Sequence, residues 1–281
     1  MKQLNCRGTA LALDQPVVMG VLNVTPDSFS DGGRHADASG AIDQGRRMVD
    51  EGAAIIDVGG ESTRPGAAPV AAEEEMARVL PVIEGLSRTV AVPISVDTSQ
   101  PEVMRAAVAA GARMINDVRA LRVPGALEAA ADSGAAVCLM HMQGEPGDMQ
   151  ANPRYGDVVR EVREFLVRRV DECMAAGIAR ERLCVDPGIG FGKRPEHNLA
   201  LLARLEELAV DRVPLLVGVS RKSLIGIITG RASGERLAGS IALAALCACR
   251  GAAILRAHDV AATVDAVKIG AALRGAGVAR S

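Results

Sequence analysis

The chain has 281 residues, of which 49% are hydrophobic and 23% charged, enough for one large domain with a sizeable core. Its 32 basic and 34 acidic side chains leave a formal charge of −2, which offers no electrostatic footprint for nucleic acid or an anionic membrane. The longest uncharged run, 237–249, is too short to span a bilayer, and Lys2 and Arg7 precede only a brief apolar patch rather than a secretory core. Six cysteines, at 6, 138, 173, 184, 247 and 249, have mostly apolar neighbours and no Cys-x-x-Cys or zinc spacing. They read as reduced core residues of a cytoplasmic protein.

In chain order, short apolar runs recur at 17–24, 55–59, 93–96, 114–118, 136–142, 183–185, 215–219 and 253–257. Amphipathic stretches alternate with them at 41–51, 72–86, 101–110, 125–133, 157–176, 199–207, 235–250 and 261–273. Pro101 and Pro195 fall at expected helix starts, and Gly52, Gly111, Gly134 and Gly177 follow expected helix ends. Eight strand–helix units predict an α/β chain with a parallel sheet, either a closed barrel or an open doubly wound sheet. Polar residues end all eight strands: Asn23, Glu61, Asp97, Asn116, His141, Asp186, Lys222 and His258. A barrel brings all eight ends to one mouth, so a (β/α)8 TIM barrel is the expected fold. With no linker or composition break, residues 1–281 read as a single domain with a short N-terminal extension, 1–16. The run 235–250, apolar nearly all round, is expected to lie against a neighbouring helix or in a subunit interface.

Singly, most of these polar residues have plain explanations. Asp97 before Pro101 can cap a helix, Asn116-Asp117 can be a turn, and Asp186-Pro187-Gly188 has turn chemistry. Jointly, Asp97, Asn116 and Asp186 offer carboxylates and an amide suited to a planar heterocycle with adjacent donors and acceptors, with Lys222 paired to a ring carbonyl or nitrogen. The competing reading is a structural ion-pair network. Arg256 and His258 share one side of the last strand and suit a phosphate or pyrophosphate, unless Arg256 only bridges to an acidic residue on a neighbouring strand. The helix start at Ser223 suits a carboxylate or phosphate, or is an ordinary cap. Phe29 and Phe191 sit in polar, glycine-rich loops, which hints at ligand contact. His141 reads as structural, and His35 and His197 as solvent-facing. No dedicated metal cage is visible, a pattern compatible with Mg²⁺ held by one protein ligand, substrate phosphates and waters.

The runs 19–33 and 57–66, with Ser95-Val96-Asp97-Thr98, the stretch 186–193, Gly218–Ser223 and Arg256-Ala257-His258-Asp259, resemble the signatures of bacterial dihydropteroate synthase across essentially the whole chain. That family joins p-aminobenzoate to 6-hydroxymethyl-7,8-dihydropterin diphosphate and releases diphosphate. The resemblance implies a pterin pocket from Asp97, Asn116, Asp186 and Lys222, with diphosphate on Arg256 and His258. It implies Mg²⁺ on Asn23 and p-aminobenzoate among Thr63, Pro65, Phe191 and Ser223. Arg64 and Asp31 are implied on closing loops, with Asp31 beside a cationic pterin methylene. Catalytic roles fall by the same resemblance to Asp31, Arg64, Lys222, Arg256 and His258, and a homodimer is implied. The alternatives are a pterin-dependent methyltransferase, which needs neither the Thr63-Arg64-Pro65 loop nor the Arg256/His258 pair, and a non-catalytic pterin-binding paralogue, expected to show damaged loops or a lost Lys222.

Overall fold

The Val-, Ile- and Leu-rich runs form strands that are buried along almost their whole length, as parallel strands with covered faces must be. The computed structural model describes residues 3–24, 33–61, 70–145 and 147–278. The chain starts with a hairpin, β1 (Gln3–Cys6) and β2 (Thr9–Ala12). Eight parallel strands follow: β3 (Val17–Asn23), β4 (Ile55–Gly59), β5 (Ile94–Asp97), β6 (Met114–Asp117), β7 (Ala136–Met140), β8 (Leu183–Asp186), β9 (Leu216–Gly218) and β10 (Ile254–Ala257). Each pairs with its sequence neighbour, and β10 pairs with β3. A parallel bridge between Val185 and Leu215, with Val185 N donating to Pro214 O at 3.0 Å, joins β8 to the segment entering β9 and completes the ring. The fold is a (β/α)8 barrel.

Helices α1 (Gly33–Asp50), α2 (Ala72–Thr89), α3 (Pro101–Ala109), α4 (Ala126–Ser133), α5 (Val158–Ala175), α6 (Pro195–Ala203), α7 (Ser223–Thr229), α8 (Leu237–Cys249) and α9 (Val260–Val278) surround it. Their apolar faces and the outward-facing strand residues make one continuous core. Pro101 and Pro195 stand in the first turns of α3 and α6, and Asp157 caps α5 by accepting from Val159 N and Arg160 N at 3.1 and 3.2 Å. Gly52, Gly111, Gly134 and Gly177 follow their helices with φ of 101°, 118°, 70° and 90°, the conformation that makes glycine favourable there.

Three helices depart most from expectation. Helix α1 begins at Gly33 rather than 41, because its polar first turns carry no apolar period. Helix α6 ends at Ala203 and a 3₁₀ turn at Leu205–Leu208 continues the apolar spacing, so the two read as one. The alanine- and glycine-rich α9 runs to Val278 without a contrasting face to mark its end.

Inside the ring, side-chain alternation sets two layers. At the amino-terminal end Met19, Ile55, Met114, Ala136, Leu216 and Ile254 pack with Leu4, Cys6 and Leu13, so the N-terminal hairpin plugs the barrel floor. Two residues further along the strands the same faces carry Asp57, Asn116 and Arg256, and the carboxyl ends carry Asn23, Asp97 and Asp186. The described helices include none long and apolar enough to cross a membrane. All six cysteines are free, and five are buried.

Candidate active site

The centre of the mouth is Arg256. Its Nε donates to Asp57 Oδ2 and its second terminal nitrogen to Asp97 Oδ2, both at 2.7 Å. Asp57 Oδ2 also accepts from Asn116 Nδ2 at 3.0 Å, so β10, β4, β5 and β6 are tied by one charged chain. The arginine and Asp97 keep an accessible edge at 22% and 11% exposure, whereas Asp57 has none. Asp57 therefore acts through its neighbours. Two buried acceptors, Asp57 Oδ1 and Ser95 Oγ on cross-strand partners, have no hydrogen-bond partner among the described residues. Burial lowers the affinity of Arg256 for its proton, but the facing carboxylates of Asp57 and Asp97 outweigh that and lock in the charge. Burial raises the Asp97 carboxyl above its ordinary range, Arg256 pulls against it, and nearby Asp57 and Glu75 add to the rise.

Asp186 and Lys222 form the other wall. Asp186 Oδ1 accepts from Gly188 N at 2.7 Å, which closes the turn after β8 and leaves Oδ2 with no partner among the described residues. Burial raises this carboxyl, opposed chiefly by Lys222. Lys222 donates to Ile189 O and places Nζ 4.7 Å from the centroid of the Phe191 ring. Burial brings its ammonium down to about 8, against the pull of Asp186. Gly218 lies between the two walls: an added Cβ would stand at ordinary contact distance from both Arg256 Cβ (3.8 Å) and Lys222 Nζ (3.9 Å). Ser220 Oγ lies 3.1 Å from His258 Nδ1 and accepts from His258 N at 3.2 Å, fixing that ring at the end of β10. Ser223, exposed, opens α7 directly after Lys222.

Asp97, Asn116, Asp186, Lys222, Arg256 and His258 thus come to one rim, with Phe191 under Lys222 and Asn23 at the end of β3. Asp31, Thr63, Arg64 and Pro65 lie outside the described residues, as does Phe29. Asp117 is the turn residue of its pair, accepting from Arg119 N at 2.8 Å and Leu121 N at 2.7 Å. His141 does not face the mouth: it is buried with Nδ1 2.9 Å from Lys193 Nζ, and burial pushes its pKa down to about 2. His197 is half-buried rather than solvent-facing, because its Nδ1 accepts from Arg194 N at 3.2 Å and its ring meets Tyr155 edge-on at 4.9 Å. Sequence reasoning missed Asp57 and Lys193 as functional candidates. The signal for Asp57 was a carboxylate inside an otherwise apolar strand, two residues from Ile55 and so on the same face. Lys193 showed only as a cation closing a glycine-rich run.

The Mg²⁺ implied by resemblance would meet few protein oxygens at this rim. Among the described residues no group of three His, Cys, Asp or Glu is disposed to hold a metal. A Cβ added at Gly59 would lie 3.7 Å from Asn23 Oδ1 and 3.9 Å from Asp97 Oδ2, so two oxygens flank one glycine. So sparse a donor set fits a hard cation that keeps its waters and takes phosphate oxygens from substrate.

The described geometry is matched by known proteins. The family of pterin binding enzymes matches residues 19–258. Dihydropteroate synthase of Escherichia coli (strain K12) is 54% identical over 267 residues, 95% of each chain. The chain belongs to the dihydropteroate synthases. The Xanthomonas albilineans dihydropteroate synthase with 4-aminobenzoic acid superposes with a TM-score of 0.91 at 56% identity, over 97% of this chain and 98% of that one. The same organism's dihydropteroate synthase in complex with 7,8-dihydropteroate gives 0.87 at 52% identity, again over 97% and 98%.

Proposed function

We propose that this barrel mouth condenses p-aminobenzoate with 6-hydroxymethyl-7,8-dihydropterin diphosphate to give 7,8-dihydropteroate and diphosphate, with the charges of the rim divided by role. The observation that carries the assignment is the juxtaposition of an accessible Arg256 edge with the open Oδ2 of Asp186 across one mouth. Asp186 Oδ2 receives the N–H donors of the aminopyrimidinone edge, and Asn116 and Asp97 complete that edge. Lys222 moves from Ile189 O to the ring carbonyl or nitrogen. Arg256 and His258 receive the diphosphate and stabilise the charge that grows on it as the bond to the pterin methylene breaks. Asn23 would hold Mg²⁺, which supplies further neutralisation of the leaving diphosphate when bound.

Departure of diphosphate leaves a methylene with cationic character, and Asp31 stabilises it. The neutral aryl amine then attacks and the protonated secondary amine so formed gives up its proton to water or the released diphosphate, so no covalent intermediate on the protein is required, and the rate gain comes from positioning plus electrostatics. Thr63, Pro65, Phe191 and Ser223 hold p-aminobenzoate, with its carboxylate toward Ser223, and Arg64 closes over the site. A cytoplasmic homodimer completes the proposal. What supports the dimer is the set of apolar side chains that α7, α8 and α9 leave exposed: Ile227, Ile228, Leu237, Leu246, Ile269 and Leu273.

The test is direct. Incubation with both substrates should form dihydropteroate in a Mg²⁺-dependent manner, and Asp186→Asn and Arg256→Gln should each abolish or sharply reduce it. Product formation that survives both substitutions would remove the rim from the reaction.

A further inference from the structure

Every backbone carbonyl from Gly188 to Lys193 receives a side-chain donor. Lys193 Nζ donates to Gly188 O and Phe191 O, each at 2.9 Å, and lies 3.3 Å from His141 O. Lys222 takes Ile189 O. Gln150 Nε2 donates to Gly190 O at 2.6 Å and the Tyr155 hydroxyl to Gly192 O at 2.8 Å. Asn198 Nδ2 donates to Lys193 O at 3.3 Å, and its Oδ1 accepts from Gly190 N at 2.7 Å.

The turn also lies hard against the segment after β7. A Cβ at Gly188 would stand 1.9 Å from His141 O and one at Gly192 2.2 Å from Gln143 O, and both glycines have positive φ, 67° and 58°. Water satisfies the carbonyls of an ordinary surface turn. Here five side chains, two of them on the segment between β7 and α5, supply those bonds and over-determine one backbone path. Burial keeps the His141 imidazole neutral and pulls the Lys193 amine well below its ordinary range, so the 2.9 Å contact of Nδ1 with Lys193 Nζ carries no like-charge repulsion. The ring carried by this path is Phe191, half-buried beneath Lys222.

We propose that Gln150, Tyr155 and Lys193 are positioning residues for the aryl-amine substrate, holding the turn after β8 so that the Phe191 ring keeps its place beneath Lys222. The proposal rests on the assignment of Phe191 to p-aminobenzoate made above. Gln150 and Tyr155 hold Gly190 O and Gly192 O, on either side of Phe191, rather than the Asp186–Gly188 turn, so their loss should fall on the aryl amine and spare the pterin.

The experiment uses Tyr155→Phe and Gln150→Leu, each of which removes one donor. Lys193→Met is a third variant, but a buried lysine can be needed for folding, so the first two decide. One neutral hydrogen bond corresponds to about a fivefold effect. The KM for p-aminobenzoate should therefore rise about fivefold in each, while kcat and the Kd for the pterin diphosphate stay within about twofold. The chain has three phenylalanines and no tryptophan, so incorporated 4-fluorophenylalanine gives three ¹⁹F signals, with that of Phe191 assigned by its absence in Phe191→Leu, and the fluorinated sample uses Tyr155→Leu so that no fourth phenylalanine is added. That signal should shift or broaden in both variants. Unchanged p-aminobenzoate KM with an unmoved Phe191 signal, or equal losses in every constant, overturns the proposal. A wild-type protein that makes no dihydropteroate would overturn the functional reading instead, and the fluorine signal alone would then decide whether the three residues hold the ring.

Discussion

Asp186→Asn isolates the charge of one pocket carboxylate with little disturbance of its surroundings. The carboxylate is 6% exposed, and Oδ1 is already committed to Gly188 N at 2.7 Å. An asparagine oxygen accepts that same bond, so the turn after β8 is retained. What changes is Oδ2, where an amide donor replaces an anionic acceptor and faces the N–H groups of the heterocycle. A hydrogen bond to a charged group contributes about 1.5–3 kcal/mol, so pterin diphosphate should bind about 10- to 150-fold more weakly. Titration calorimetry on both proteins measures this, with thermal unfolding as the check that the barrel is intact. The pH dependence supplies a second reading. Burial raises the folded-state pKa of Asp186, so acidification protonates it earlier than an ordinary aspartate and removes the ionic acceptor. Wild-type affinity should fall more steeply on the acid side than that of the asparagine variant, which keeps only the titration of Asp97 on the pterin edge. Affinities within threefold of each other, or parallel acid limbs, would refute the reasoning.

Four further outcomes follow. Arg256→Gln leaves Asp57, which is fully buried, without its cation; the expected cost is about 3–5 kcal/mol, or a fall in Tm of about 10 °C, and adding Asp57→Asn should restore much of the stability but not the activity, both read by calorimetry. The Lys222 ammonium, brought down to about 8 by burial, is lost as pH rises through that value, so kcat/KM should show an alkaline limb near pH 8. If the proposed dimer forms through α8 and α9, Leu246→Glu with Ile269→Glu should convert it to monomers in sedimentation runs, since both side chains are more than half exposed on these adjoining helices. Glu75, pushed up to about 7 by burial, binds a proton in the fold that it does not hold unfolded at neutral pH; stability should therefore fall as pH rises from about 4.5 through 7, and Glu75→Gln should stabilise by up to about 3 kcal/mol at pH 8 and little at pH 4.

The barrel was legible because its strands obey a simple rule: each is an apolar run that stops at a polar residue, and each following helix carries an apolar face. Glycines past the helix ends and prolines at two helix starts marked limits to within a residue or two. Legibility failed where the physical signal was absent. The first turns of α1 have no apolar period, and α9 has no contrasting face.

The rim itself was half readable, and the division has a cause. Residues that end strands, such as Asp97, Asn116, Asp186 and His258, announce themselves because a polar side chain there breaks an apolar run. Asp57 stands within its strand and Lys193 within a loop, and each works on another group rather than at the surface. Asp57 has no accessible edge, yet it holds both Arg256 and Asn116, and a side chain of that kind is defined by contacts 59 and 199 residues away in sequence. Sequence position alone carries no trace of such distances. The same is true of Arg256. Bridging to acidic residues and anion binding were the two readings open to it, and in the fold they are not alternatives. The carboxylates of Asp57 and Asp97 fix the guanidinium plane and its charge, while its exposed edge stays turned to the mouth. An arginine held in this way needs little reorganisation when a diphosphate arrives, which is the condition for electrostatic stabilisation to favour the transition state.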